Sequence, residues 1–264
     1  MTVFQWMLGL IAAFLISIAA YRSNSLSREG KWAAFIIGTF TFGGGGLLAA
    51  VAMVTFFISA SALSHIGGQR KKQIAAVFSK GGQRDRGQVL ANGLTAAVFA
   101  VVYGVCGEPV WAVGAAGALA AANADTWATE LGILTKGTPR LITSWRPVPP
   151  GTSGGITLPG ILASLLGGAL IGLVTLPFLH SWVIVLTVTA GGFAGSIFDS
   201  LLGALVQAMY WCPSCEKTTE RYPMHTCGTP TTFHHGWPWL TNDGVNFAAT
   251  VIGSITAIGL LLIL

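Results

Sequence analysis

The 264-residue chain is 53% hydrophobic, only 9% charged, and carries a net charge of +5. Soluble domains contain about 25% charged residues, so this composition excludes a soluble globular protein and indicates a polytopic membrane protein. The first apolar stretch is too long for a cleavable signal peptide and has no basic segment before it, so it reads as a permanent helix.

In chain order the apolar segments are Val3–Tyr21, Trp32–Leu63, Val89–Val105, Val110–Leu134, Ile156–Leu176, Trp182–Val206 and Val245–Leu264. A helix needs about 20 residues to cross a bilayer. Trp32–Leu63 exceeds that and is interrupted by Gly43-Gly44-Gly45-Gly46. Glycine inside a helix costs about 1 kcal/mol against alanine, so the run predicts two shorter helices joined by a tight hairpin. The expected fold is an all-α polytopic bundle of about eight transmembrane helices, with six to eight as the range. It forms one membrane domain over 1–264, with a short cysteine- and histidine-containing loop at 207–244.

Charge placement supports the eight-helix count. All 14 Lys and Arg fall in four loops: Arg22/Arg28/Lys31, Arg70 to Arg86, Lys136/Arg140/Arg146 and Lys217/Arg221. With eight spans these loops share one side. The positive-inside rule makes that side cytoplasmic and places both termini outside. The net charge is therefore topogenic first. Nucleic acid is not an expected partner, whereas anionic lipid and phosphate are. A homo-oligomer is compatible with the sequence.

The informative residues are the acids inside apolar segments. Asp125, Glu130 and Asp199 interrupt long hydrophobic runs. A charge at the bilayer centre costs about 3 kcal/mol or more, and such residues usually face a cavity that serves an ion, a proton or a reaction. On a helix, Asn123, Asp125, Thr126, Thr129 and Glu130 share an arc of about 160°. Carboxylate, amide and hydroxyl oxygens suit a hard cation such as Mg²⁺. Gly192, Gly195, Ser196, Asp199 and Gly203 share a narrower arc, where small residues let another helix or a ligand come close. Asp199 is expected to meet Asp125 or Glu130 across the bundle.

Three polar turns lead into helices. Lys80, Arg84 and Arg86 lie in a Gly-rich turn before a segment carrying Asn92, and a helix N-terminus can bind phosphate. The same turn also reads as an ordinary anchor loop. Thr152-Ser153-Gly154-Gly155 follows a proline-rich stretch, and offers either a simple helix cap or a backbone nest for phosphate. Asp243 and Asn246 open the last helix one turn apart, able to cap it or to reach the same site. Between the last two spans, Cys212-Pro-Ser-Cys215 is followed by His225 and Cys227, a tetrahedral zinc pattern. No open coordination position is evident, so a structural Zn²⁺ is expected.

Together KGGQRDRGQVLANG, NADTWATELG, PVPPGTSGGITLPG, GSIFDSLLGA, CPSC with HTCG, and NDGVN resemble a membrane family called domain of unknown function 92. That family includes animal transmembrane protein 19 and the plant phytyl-phosphate kinase of vitamin E synthesis. It is similar to phytol kinase, dolichol kinase and phosphatidate cytidylyltransferase, which use a nucleoside triphosphate on a lipid alcohol or lipid phosphate. The resemblance implies a Mg²⁺-dependent kinase that converts an isoprenyl monophosphate to its diphosphate with CTP or another nucleotide. Asp125, Asp199 and Asp243 would hold Mg²⁺, with Glu130 and Asn123 completing or orienting the shell. Lys80, Arg84, Arg86, Ser153, Gly154, Gly155 and Asn246 would contact phosphates, and Asn92 would line the pocket. A lipid nucleotidyltransferase and an ion-coupled transporter are the alternatives.

Overall fold

A computed structural model describes residues 2–66, 82–135 and 137–264. Lys80, Lys136 and the basic residues at 70–72 lie outside them. Seven helices are present among the described residues: α1 Val3–Arg22, α2 Arg28–His65, α3 Arg86–Cys106, α4 Pro109–Gly132, α5 Leu158–Leu179, α6 Trp182–Leu205 and α7 Asn242–Ile263. Six are long and apolar enough to cross a membrane. Large side chains such as Phe4, Leu47, Leu166, Leu186 and Leu262 stand exposed on them, as lipid-facing residues do.

The long second helix is hydrogen-bonded as one element but breaks at Gly46, where φ is 62° and ψ is −151°. Glycine tolerates that conformation without steric cost. The chain doubles back there. The backbone N–H of Arg84 bonds to Ser25 at 3.0 Å, and the Arg84 guanidinium bonds to Ser61 at 3.0 Å. A straight helix from 25 to 61 would separate those serines by about 50 Å. The predicted hairpin is therefore present, but one glycine makes it. Gly43, Gly44 and Gly45 are close-packing positions, facing Trp6, Val101 and Ala100 respectively.

With α2 crossing twice, the helices among the described residues make eight passes. The loops before α2, α3, α5 and α7 all gather at one end of the bundle. There Arg84 meets Ser25 and Ser61, Gly132 faces Thr157 and Gly154 faces Ala204. The first residues of α1 lie at the opposite end, where Gln5 bonds to the Gly43 carbonyl at 2.8 Å. The last turns of α7 also point there, because Ser254 bonds to Gly114 near the start of α4.

α4 is the axis of the bundle. Every residue from Ala112 to Ala124 is buried. It is an Ala and Gly rod, which explains why it is not among the six most apolar helices: protein rather than lipid surrounds it. Its small surface is met by small surfaces on its neighbours. Gly167 of α5 faces Ala124, Gly195 of α6 faces Ala121, and Gly253 of α7 faces Ala121 and Gly117. Side-chain hydrogen bonds add ties across helices, including Thr95 to Thr250 at 2.8 Å and Ser254 to the Gly114 carbonyl at 2.8 Å.

Two small sheets sit at the loop-rich end. β1 Arg140–Leu141 pairs with β2 Gly155–Ile156. After α6, β3 Met209–Cys212 is flanked by β4 Lys217–Thr219 and β5 Thr232–His235, all antiparallel, in the order β4-β3-β5.

A methyl branch in the central seam tests this packing. A side chain at Gly192 would place its Cβ 2.9 Å from both Ala120 Cβ and Gly168 Cα. Gly192→Val is expected to destabilise the bundle by about 1–3 kcal/mol, read as an earlier thermal unfolding midpoint in detergent.

Candidate functional site

Asp125 lies in the last two turns of α4, and Asp199 lies in the last two turns of α6. The glycine seam holds these helices together, so both carboxylates lie toward the loop-rich end. Asp199 is within charge–charge range of Asp125, as expected from the sequence, and also of Glu220. Asp199 Oδ2 is sealed from solvent and accepts no hydrogen bond among the described residues.

The Thr152–Gly155 turn packs directly on this helix end. Gly154, at φ 74°, faces Ala204 and the Ser200 carbonyl, an approach that leaves no room for a Cβ. Ser153 Oγ donates to Gln207 Oε1 at 2.9 Å, and Gln207 Nε2 donates to Glu220 Oε1 at 2.8 Å. Gln207 is 1% exposed. A polar chain thus runs from the Ser153 turn through Gln207 to Glu220 and on to the field of Asp199 and Asp125. Gly155 pairs with Leu141 in the small sheet, which anchors the far side of the turn.

Glu130 and Arg84 form a separate flank. Ser64 Oγ donates to Glu130 Oε1 at 2.6 Å. The Arg84 guanidinium lies 5.7 Å and 5.3 Å from the Phe56 and Phe57 ring centres. Burial pushes the Arg84 guanidinium below its ordinary value, and the charge of Glu130 acts in the opposite direction. Asn92 joins Arg84 and Gln88 in lining a small cavity of about 80 Å³ between α1, α2 and α3, apart from the Asp125–Asp199 pair.

Several expected roles change on this geometry. At the start of α3 a capping box takes up the Gln88 N–H. Asp85 caps it, accepting from Gln88 N at 2.9 Å, while the Gln88 side chain accepts from Asp85 N at 3.1 Å. Arg86 is exposed at the first helical position. Asn123 is fully buried and committed to packing. Its Oδ1 accepts from Ser59 at 2.9 Å and its Nδ2 donates to the Gly167 carbonyl at 2.8 Å. It ties α4 to α2 and α5. Thr241 occupies the cap position of α7, so Asp243 and Asn246 lie inside its first turn and a half.

The cysteine and histidine loop forms one cluster. The ligand atoms of Cys212, Cys215, His225 and Cys227 all lie within 4.8 Å of one another. Cys212 Sγ is 3.5 Å from Cys227 Sγ, and His225 Nδ1 is 3.2 Å from Cys227 Sγ. Hydrogen bonding from Thr229, then from His225, pulls the Cys227 thiol down to about 5. Four such donors around a common centre match the donor set and spacing of a tetrahedral Zn²⁺ site.

Sequence reasoning missed Gln207 and Glu220. Glu220 is one of only nine acids, and it follows a C-x₂-C turn. A hairpin centred on that turn carries position 220 back to the level at which the chain left α6. That symmetry was the available signal.

A model of the family described as integral membrane protein DUF92 matches residues 11–254. Protein PGR of Arabidopsis thaliana is 32% identical, over 95% of this chain and 94% of its own length. An uncharacterized membrane protein of Methanocaldococcus jannaschii is 33% identical, over 97% of this chain and 94% of its own length. Protein VTE6, chloroplastic, of Arabidopsis thaliana is 26% identical, over 89% of this chain and 65% of its own length. No solved structure matches.

Because Asn123 is a tie between helices, Asn123→Ala is expected to lower stability by about 1–2 kcal/mol through loss of two interhelical hydrogen bonds. Detergent-resistance or thermal-unfolding curves read this directly.

Proposed function

The chain belongs to the DUF92 family of integral membrane proteins, and from that premise we propose that it is a membrane-embedded kinase that phosphorylates an isoprenyl monophosphate to the diphosphate with CTP or another nucleoside triphosphate. The observation that carries the reading is that Asp125 and Asp199 lie within charge–charge range of each other at the end of the bundle where the Ser153–Gly154 turn packs on α6. Acids within spans mark functional cavities. This pair lies toward the end from which a nucleotide would arrive if the basic end is cytoplasmic, which the positive-inside rule favours.

Phosphoryl transfer requires positioning and charge neutralisation more than covalent chemistry by the protein. The phosphate monoester is already ionised, so its oxygen attacks the terminal phosphorus of the nucleotide without a general base. The bond to the nucleoside diphosphate breaks, and the prenyl diphosphate forms. Asp125 and Asp199 are the residues that would hold Mg²⁺, whose chemistry is to neutralise the phosphate oxygens. The backbone of the Ser153–Gly155 turn and the Arg84 side chain are the candidates to orient phosphate groups. The prenyl tail would lie among the apolar helices, reached from the bilayer.

The deciding experiment supplies purified protein in detergent with phytyl, geranylgeranyl or farnesyl monophosphate, each nucleoside triphosphate and Mg²⁺. Mass spectrometry should find prenyl diphosphate, and Asp125→Asn or Asp199→Asn should reduce its formation by about 10²-fold or more without loss of folded protein. Release of pyrophosphate with a nucleotidyl-lipid would replace the kinase with a nucleotidyltransferase. No product from a folded, metal-replete sample would favour transport.

A structural Zn²⁺ in the Cys212–Cys215–His225–Cys227 cluster belongs to the same proposal. Elemental analysis should find one zinc per chain, and Cys215→Ser should abolish it. Zinc should also leave as pH falls, because thiolate and imidazole ligands must be deprotonated to bind.

A further inference from the structure

Arg84 and Asn92 share a cavity with most of their hydrogen-bonding capacity unspent. Arg84 lies just ahead of α3, and Asn92 lies in its second turn. Both line the void of about 80 Å³ between α1, α2 and α3. A guanidinium carries five N–H donors. Among the described residues that of Arg84 donates only to Ser61, at 3.0 Å. The Asn92 side-chain amide makes no hydrogen bond among the described residues. An unpaired polar group in a membrane segment is costly and usually functional. A guanidinium and an amide N–H together suit the oxygens of a phosphate.

The remaining walls of the cavity are mostly apolar and include Ile37, Phe42 and Met53. Its volume has room for a small head group but not for a long chain. Val54 borders this cavity and also a groove of about 470 Å³ on α2. The groove follows the second pass of α2 from Leu47 to Ser59. Leu47, Val51 and Ile58 stand exposed along it, as lipid-facing residues do. Leu47, Val54 and Ser61 are seven residues apart, close to two helical turns, so they fall on one line. At its loop-rich end that line meets Arg84 through the Ser61 bond. The rise from Leu47 to Ser61 is about 21 Å. The hydrocarbon core of a bilayer is about 30 Å thick, so the line is longer than the half filled by one leaflet.

We propose that the cavity and the groove together bind an isoprenyl monophosphate, its phosphate on Arg84 and Asn92 and its chain along α2 from Val54 toward Leu47. The assignment rests on reading the chain as a prenyl-phosphate kinase, and it names where the lipid substrate docks. Charge and shape select this occupant. The cationic end takes an anionic head, and one narrow line on one helix takes one chain rather than the two of a phospholipid. Arg84 is a stationary anchor for the head, because the Phe56 and Phe57 rings lie 5.7 Å and 5.3 Å from it. The groove adds alignment rather than hydrophobic gain, since lipid tails are as apolar as its walls.

The probe is geranylgeranyl monophosphate carrying a photoreactive diazirine near its chain end, added to the full-length protein in phosphatidylcholine nanodiscs. After irradiation, peptide mass spectrometry should place the cross-links near Leu47 and Val51. Exposed Leu166 of α5 and Leu186 of α6 should stay unlabelled. Unlabelled geranylgeranyl monophosphate should displace the probe, whereas excess phosphatidic acid should not. Arg84→Gln and Asn92→Leu should each cut the labelling about tenfold or more. If Arg84→Gln does not fold, Val51→Trp obstructs the groove from its exposed face and should have the same effect, unlike Leu186→Trp. Labelling spread over α5 and α6 overturns the proposal, as does displacement by phosphatidic acid. Wild-type labelling in Asn92→Leu and Val51→Trp also overturns it. Cross-links on α2 in a protein that makes no prenyl diphosphate leave this site standing and remove the kinase reading. Prenyl diphosphate formed without cross-links on α2 removes the site and leaves that reading.

Discussion

The close approach of backbones around α4 is the constraint on which the rest depends. In lipid there is little hydrophobic gain from pairing two apolar helices, so association relies on van der Waals contact and interhelical hydrogen bonds. Both need small residues. Gly167, Gly195 and Gly253 bring their helices against Ala124, Ala121 and Gly117, and the same contact sets the lateral distance between Asp125 and Asp199. A bulkier seam would move the carboxylates apart before it unfolded the bundle. Packing and chemistry are therefore set by one feature.

A second constraint is the economy of charge. Nearly every polar interaction of consequence lies at one end of the molecule. Arg84 is stacked on two phenylalanines, bonded to Ser61 and opposed by Glu130. Its buried charge is compensated locally, which suits a fixed element better than a mobile phosphate clamp. The Asp125–Asp199 pair differs, because it gathers like charges and leaves a carboxylate oxygen without a hydrogen-bond partner among the described residues.

The loop after α6 is more than a cover. Its hairpin is short, and three strands of three or four residues would be marginal alone. The cysteine and histidine cluster at one end and Gln207 at the other give it two fixed points. Such a construction places Glu220, from outside the membrane segments, against Gln207 and so beside the Ser153 turn.

Much of this was legible in the residues alone. Composition and hydrophobic length sufficed for the helical membrane class and the approximate number of passes, because both act locally along a chain. The four-residue cysteine and histidine pattern was readable for the same reason: its spacing is itself the signal. Asp125 and Asp199 stood out because charge in an apolar segment is rare. What only the tertiary structure decided was partnership. The sequence could not tell that Asn123 bonds to Ser59 and Gly167, that Asp85 and Gln88 cap the helix expected to take phosphate, or that one glycine of four makes the hairpin. Nor could it place Glu220 against Gln207. Those outcomes depend on helix rotation and strand register, which arise from contacts between residues far apart in the chain.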